Sequence, residues 1–219
     1  MNLKTTTNLL GALAVASVLA GCGALPDKPA RAALYDFGPT PAPVPAAVTP
    51  ALPRLPSIQL ADIDAQARLD GTQILYRLGY TDGNELRPYS QARWSVAPTQ
   101  LLEQRLREAL AQRRVVLGEE EGTNVARVDG KMPNGLRLTL EEFCQVFDAP
   151  GTSYGLVRVR ATLLNATSGG NRVLGQRTFT AQQPASSADA PGGVKALAGA
   201  SDAVVLQIVQ WADQLQQAQ

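Results

Sequence analysis

From Val194 to Leu215, apolar or small residues return every three or four positions: Val194, Leu197, Ala198, Ser201, Val205, Ile208, Ala212 and Leu215 share one stripe. A helix of about six turns with a single apolar face is not stable alone in water and must lay that face on an equally long surface. Trp211 sits beside the stripe. The same period runs over Pro98–Arg114, where Leu101, Leu102, Leu106, Ala109 and Leu110 lie together. Gln100, Glu103, Arg107 and Gln112 fall largely on the opposite side, and Pro98 suits a first helical turn.

The rest of the pattern supplies that surface as strands. Leu34–Phe37 is a short strand signal, and Ile58, Leu60 and Ile63 suggest a second. Gln73–Tyr80 alternates, Asp82-Gly83-Asn84 signals a turn, and Leu86–Val96 reads as a strand broken near Pro88, so the two runs can form a hairpin. Val115–Leu117 reads as a short buried strand. Leu136, Leu138 and Leu140 alternate and run on through Phe143 to Phe147. Val157–Leu163 and Arg172–Ala181 follow across the turn Ser168-Gly169-Gly170-Asn171, and the three runs can form an antiparallel meander. The fold class that results is α+β: a mainly antiparallel sheet with two long amphipathic helices packed on one face, a two-layer sandwich.

Charge and residue usage narrow the chemistry. The 219 residues hold 20 Lys and Arg, 19 Asp and Glu, and no histidine. A balanced chain has no cationic surplus to neutralise phosphates, which argues against nucleic acid as a partner. Without imidazole there is no Ser-His-Asp triad, no Cys-His pair and no HExxH zinc site. Asp62 with Asp64, and Glu141 with Glu142, are paired carboxylates without a nucleophile or metal motif beside them; surface charge is the simpler reading. Gly169-Gly170 and Gly192-Gly193 lack phosphate-loop spacing, and no GxSxG or CxxC occurs. No catalytic residue, metal site or cofactor is assigned, and the chain reads as a non-enzyme. Cys144, in a strand-like run, reads as a small buried apolar residue.

The N-terminus carries an address. Lys4 precedes an apolar run, Leu9–Ala20, too short for a hydrocarbon core that needs about 20 residues. It ends in Leu19-Ala20-Gly21-Cys22, which looks like a bacterial lipobox. Residues 1–21 then form a signal peptide, and Cys22 takes the lipid. Gly23 follows it, where aspartate would signal inner-membrane retention under enterobacterial sorting rules; the expected location is the periplasmic face of the outer membrane. Residues 22–33 read as a flexible tether and 34–219 as one domain, with a Pro-rich loop at 38–56 that holds seven prolines. Glu119-Glu120-Glu121-Gly122 reads as a solvated acidic turn.

Several landmarks occur in a familiar order: Leu34-Tyr35-Asp36-Phe37; Ile58–Ile63; Leu69-Asp70; Gln73–Arg77; Tyr89; Arg93-Trp94 leading into the Pro98 helix; Phe143; and Pro191-Gly192-Gly193-Val194 opening a helix with Ala200 and Trp211. This order resembles the ABC-type transport auxiliary lipoproteins, also called PqiC-like. Arg93-Trp94 with the upstream Tyr76-Arg77 is its most specific part, and the long 38–56 insertion departs from a compact member.

The resemblance implies a non-catalytic auxiliary or docking subunit of an MCE-type lipid transport system. It implies acyl chains such as palmitate at Cys22, an MCE-domain protein as partner, and through it an ABC permease and ATPase. Phospholipid would be the cargo, and a homo-oligomeric ring the assembly. Tyr89, Arg93 and Trp94 are the candidate partner-binding residues, because arginine and aromatics are enriched at interfaces. Trp94 as core and Arg93 as an ordinary surface charge is the competing reading. Two other functions stay open: a lipoprotein scaffold or activator of another envelope machine, such as peptidoglycan synthesis, and a carboxylate-based hydrolase.

Overall fold

The computed structural model describes residues 31–39, 54–118, 128, 130–167 and 170–218. The signal peptide at 1–21, Cys22, most of the tether, residues 40–53 of the Pro-rich loop, the acidic turn Glu119–Gly122 and the Ser168-Gly169 turn lie outside the described residues. Among the described residues nine strands and two α-helices follow one another: β1 (Ala33–Tyr35), β2 (Ile58–Leu60), β3 (Asp64–Ala65), β4 (Gln73–Leu78), β5 (Asp82–Trp94), α1 (Pro98–Ala111), β6 (Val116–Leu117), β7 (Asn134–Ala149), β8 (Thr152–Thr167), β9 (Gly170–Pro184) and α2 (Ala190–Gln217). A 3-10 turn at Ala67–Leu69 precedes β4.

The long strand β7 is the spine of the sheet. Along one side it pairs antiparallel with β8, from Gly135↔Leu164 to Ala149↔Thr152. Its other side is shared by three short strands in succession, all parallel to it: β2 at Asn134–Leu136, β3 at Thr139–Leu140 and β4 at Gln145–Phe147. Beyond β4 lie β5, antiparallel, and then β1, parallel to β5. β9 continues the meander from β8, and β6 edges β2. The long ladders are thus antiparallel and the short ones parallel, within one mixed sheet under a layer of two helices. This is the α+β two-layer sandwich that the hydrophobic pattern requires.

The bulge in β7 keeps its apolar face continuous. Leu140 pairs with Val159 and Glu142 with Arg158, so Glu141 is the extra residue. Leu136, Leu138 and Leu140 before it, and Phe143 and Phe147 after it, therefore all face the helices and are buried. Facing them across the ladder are Val157, Val159, Ala161 and Leu163, each fully buried. α2 lies over β8 and β9, with Leu197, Ala200, Val204, Ile208 and Ala212 inside. Its buried face is wider than the stripe read from the sequence, taking in Ala196, Ala200, Val204 and Trp211. By length and composition it resembles a membrane span, but more than half of its most apolar stretch is buried inside the domain, as in a core helix.

Three local expectations are corrected. The hairpin turn falls at Gly79–Thr81 rather than Asp82-Gly83-Asn84, which instead opens β5 with the Asn84 N–H donating to Asp82 Oδ1 at 2.8 Å. Pro88 does not break β5; the ladder absorbs it through a register shift. The strand after α1 is not buried: β6 is a two-residue edge strand, half-buried, and Val115 before it is 41% exposed.

Close contact between α2 and β8 depends on glycine. A Cβ built on Gly155 would stand 2.6 Å from the Ala196 carbonyl carbon and the Leu197 nitrogen, both backbone atoms. Backbone cannot swing aside as a side chain can. The Gly155→Val variant should therefore lose about 2–4 kcal/mol of stability, above the usual range for overpacking because the obstruction is main chain. Urea unfolding followed by circular dichroism measures this.

Candidate interaction surface and its supports

The three residues singled out from the sequence all lie on β5 but do different work. Trp94 is core: it is 1% exposed, and its ring meets Phe37 at 5.7 Å and Phe143 at 5.6 Å, both edge to face. Such pairs add to burial through the quadrupoles of the rings. Its Nε1–H is buried with no partner among the described residues. Arg93 turns back along its own strand, and its guanidinium donates to the Tyr89 carbonyl at 2.6 Å and the Ala92 carbonyl at 3.2 Å. The Tyr89 hydroxyl points the other way, into the sheet, and donates to Gln145 Oε1 at 2.9 Å. The structure thus brings Tyr89 and Arg93 together through a main-chain carbonyl, while Trp94 supports the strand from inside.

What the sequence reading passed over is Leu34. In the β1–β5 register Leu34 pairs with Arg93 and Tyr35 with Trp94. Leu34 is 71% exposed, so a bare apolar side chain stands beside the Arg93 position on a strand whose far edge has no partner among the described strands. A groove of about 640 Å³ runs beside it, between the segment Leu34–Gly38 and the first half of α2 at Val194, Ala198 and Asp202. An open strand edge offers unpaired N–H and C=O groups to another chain. Pairing register, not local composition, makes this surface, so no sequence signal flags it.

The β1 segment is held in place by a second residue without a sequence motif. Arg105 of α1 lies on the buried face of its helix, donates to the Phe37 carbonyl at 2.8 Å and the Gly38 carbonyl at 3.0 Å, and pairs with Asp202 of α2 at 3.3 Å. Asp202 sits above the usual carboxylate range because burial outweighs the attraction of Arg105. One guanidinium therefore ties both helices to the chain that leaves β1.

Under the N-terminal end of α2 lies a buried polar chain. Gln145, fully buried, accepts from Tyr89 and donates to Ser153 Oγ at 2.8 Å. Gly193 is packed so tightly above it that a Cβ there would stand 2.0 Å from Gln145 Oε1. Asp189 caps the helix by accepting from the Gly192 N–H at 2.9 Å, with Ser187 donating to the same oxygen. Burial pushes the Tyr89 hydroxyl up to about 12, with smaller contributions from Tyr76 and Asp189. Elsewhere, on the sheet face away from the helices, Glu142 meets Arg68 at 3.5 Å and Arg77 at 3.6 Å, and Glu141 meets Arg160 at 3.6 Å. The paired carboxylates at 141–142 are thus engaged with arginines. Cys144 is buried in the core, and burial raises its thiol.

Among the described residues the sandwich leaves the far edge of β1 unpaired, with Leu34 and Arg93 side by side next to it. The model of the ABC-type transport auxiliary lipoprotein component family matches residues 35–209, and the chain belongs to that family. Its fold is similar to that of protein XCC0632 from Xanthomonas campestris, with a TM-score of 0.63 and 23% identity, covering 78% of this chain and 91% of that one. The hypothetical protein CT253 from Chlamydia trachomatis is similar at a TM-score of 0.52 and 6% identity, covering 75% and 99%. No curated protein matches the chain by sequence. The family is a lipoprotein family, which fits attachment to the cell envelope, and a transport auxiliary, which fits association with a transporter.

The half-buried Tyr89 gives a sign for alkaline pH. A neutral phenol that holds its proton more tightly when folded stabilises the fold below its unfolded pKa of about 10, and that contribution is lost as pH rises to about 12. Ultraviolet titration should show a late phenolate phase near pH 12 that Tyr89→Phe removes. The same variant should cost about 1 kcal/mol at neutral pH for the lost hydrogen bond, read by chemical unfolding.

Proposed function

We propose that this chain is the non-catalytic docking subunit of an MCE-type intermembrane lipid transporter, anchored to the periplasmic face of the outer membrane. The observation that carries the reading is the family match over residues 35–209, together with a lipobox at Leu19–Cys22 upstream of it. Residues 1–21 are removed as a signal peptide. Cys22 receives acyl chains, and residues 22–33 tether a single domain spanning 34–219. Each buried methylene adds about 0.8 kcal/mol, so two or more chains hold the domain at the membrane. Tethering raises its effective concentration for a partner that reaches across the periplasm.

The partner is an MCE-domain protein, and through it an ABC permease and ATPase, with phospholipid passing through the MCE assembly. A ring of copies would complete the conduit. Among the residues first singled out, Tyr89 and Arg93 contribute to the contact and Trp94 holds β5 beneath them. The exposed Leu34 on the adjoining edge supports the same place. The arginines paired with Glu141 and Glu142, and the absence of histidine, favour a non-catalytic role over a carboxylate hydrolase.

Two measurements test this. Cys22→Ser should move the protein from the membrane to the soluble fraction; a Cys22→Ser form that stays membrane-bound overturns the anchor. Affinity capture of the native lipoprotein from its own envelope should recover an MCE-domain protein, and Leu34→Asp should weaken that capture by about tenfold or more, as expected for one buried interface side chain. Recovery of a peptidoglycan synthase and no MCE-domain protein would transfer the chain to the scaffold reading.

A further inference from the structure

A cleft of about 860 Å³ opens at the end of the domain where α1 and α2 both terminate. Arg54, Arg114, Lys131 and Gln216 line it together with the apolar Val115 and Met132. Arg114 is buried and donates to Asp213 and to Gln216, while Arg113 reaches the other Asp213 oxygen at 3.3 Å. Two guanidinium groups therefore share one carboxylate, aided by the carbonyl end of α2. Arg114 Nε and Gln216 Nε2 are buried with no hydrogen-bond partner among the described residues. Desolvation, and then the charge of Arg113, lower Arg114 to about 10. Arg54 and Lys131 stand exposed at the rim. Among the described residues no Asp or Glu lines the cleft. Val115 and Met132 are 41% and 40% exposed, so apolar surface lies open to water beside the cationic wall.

We propose that this cleft binds a phosphate ester carried on a short apolar chain, its oxyanion held by Arg54, Arg114 and Lys131 and its chain against Val115 and Met132. An oxyanion supplies a negative charge to a cleft whose described lining holds three cationic side chains and no carboxylate, beside a pair of guanidinium groups that share the single carboxylate of Asp213. The apolar part covers the exposed Val115 and Met132. This site is remote in sequence from the Leu34 edge and stands independently of the docking reading.

The test uses the native lipidated chain in phosphatidylcholine nanodiscs and radiolabelled hexyl phosphate in equilibrium dialysis, with empty nanodiscs subtracted. Saturable binding is expected. Inorganic phosphate and hexan-1-ol, each carrying half of the ligand, should compete at least about tenfold more weakly. The Arg54→Glu, Lys131→Glu double variant changes only exposed side chains and should weaken binding by about tenfold or more without moving the thermal midpoint. Arg114→Met should abolish binding; because it opens a buried ion pair, the rim variant is the deciding one if it fails to fold. Dihexanoyl phosphatidylglycerol that competes as well as hexyl phosphate identifies a lipid head group as the source. If it does not compete while hexyl phosphate binds, the source is a water-soluble phosphate ester. Absence of saturable binding, unchanged binding by the rim variant, or equal competition by hexan-1-ol overturns the proposal. No partner protein enters the assay, so that failure leaves the docking reading where it stood.

Discussion

At Gly155 the main chain of β8 and the main chain of α2 approach so closely that a methyl group does not fit between them. The helix can rest there only because two more glycines relieve it at its ends, Gly193 over Gln145 and Gly175 under Trp211 and Leu215. With α2 lowered onto the sheet, Leu197, Ala200, Val204 and Ile208 reach Val157, Val159 and Ala161 without a gap, and a continuous core forms between the two layers. α1 packs at the side of α2, and Arg105 fastens that pair to the chain leaving β1. The strand edge that carries Leu34 is therefore positioned through the helix layer, by way of α2, α1 and Arg105.

Much of this was legible in the sequence, because periodicity reports burial. The 3.6-residue stripe at 194–215 and the alternation of Leu136, Leu138 and Leu140 say which faces are dry, and they give the class of fold directly. The meander of β7, β8 and β9 and the β4–β5 hairpin follow from the same alternation with turn residues between. Less legible were features created by pairing. That β2, β3 and β4 share one side of β7 depends on the order in which short strands reach it, and three residues of strand carry no address for their neighbour. The bulge at Glu141 was hidden because the apolar phase resumes after it.

The candidate site was read only in part, for the same reason. Tyr89, Arg93 and Trp94 are close in sequence, but strand alternation sends Trp94 inward and gives Arg93 a role in capping its own strand. Leu34 becomes prominent only through its register with Arg93. Arg105 and Arg114 both fall inside the helix that the sequence places over Pro98–Arg114, and nothing local marks either as buried. Each is buried because a carboxylate on α2, Asp202 or Asp213, waits at matching height. Such partners lie about 100 positions apart in the chain, beyond any local pattern.

The outer edge of β9 has a consequence of its own. Fifteen residues of strand present an unpaired ladder among the described residues, long enough to recruit a stray β-segment from any unfolded neighbour. Gln176, Thr178, Thr180 and Gln182 on its outward side, with Arg172 and Arg177 along it, keep that edge hydrated, and Pro184 ends it without a donor. Apart from the exposed Val173, polarity rather than concealment is what guards this edge against casual pairing.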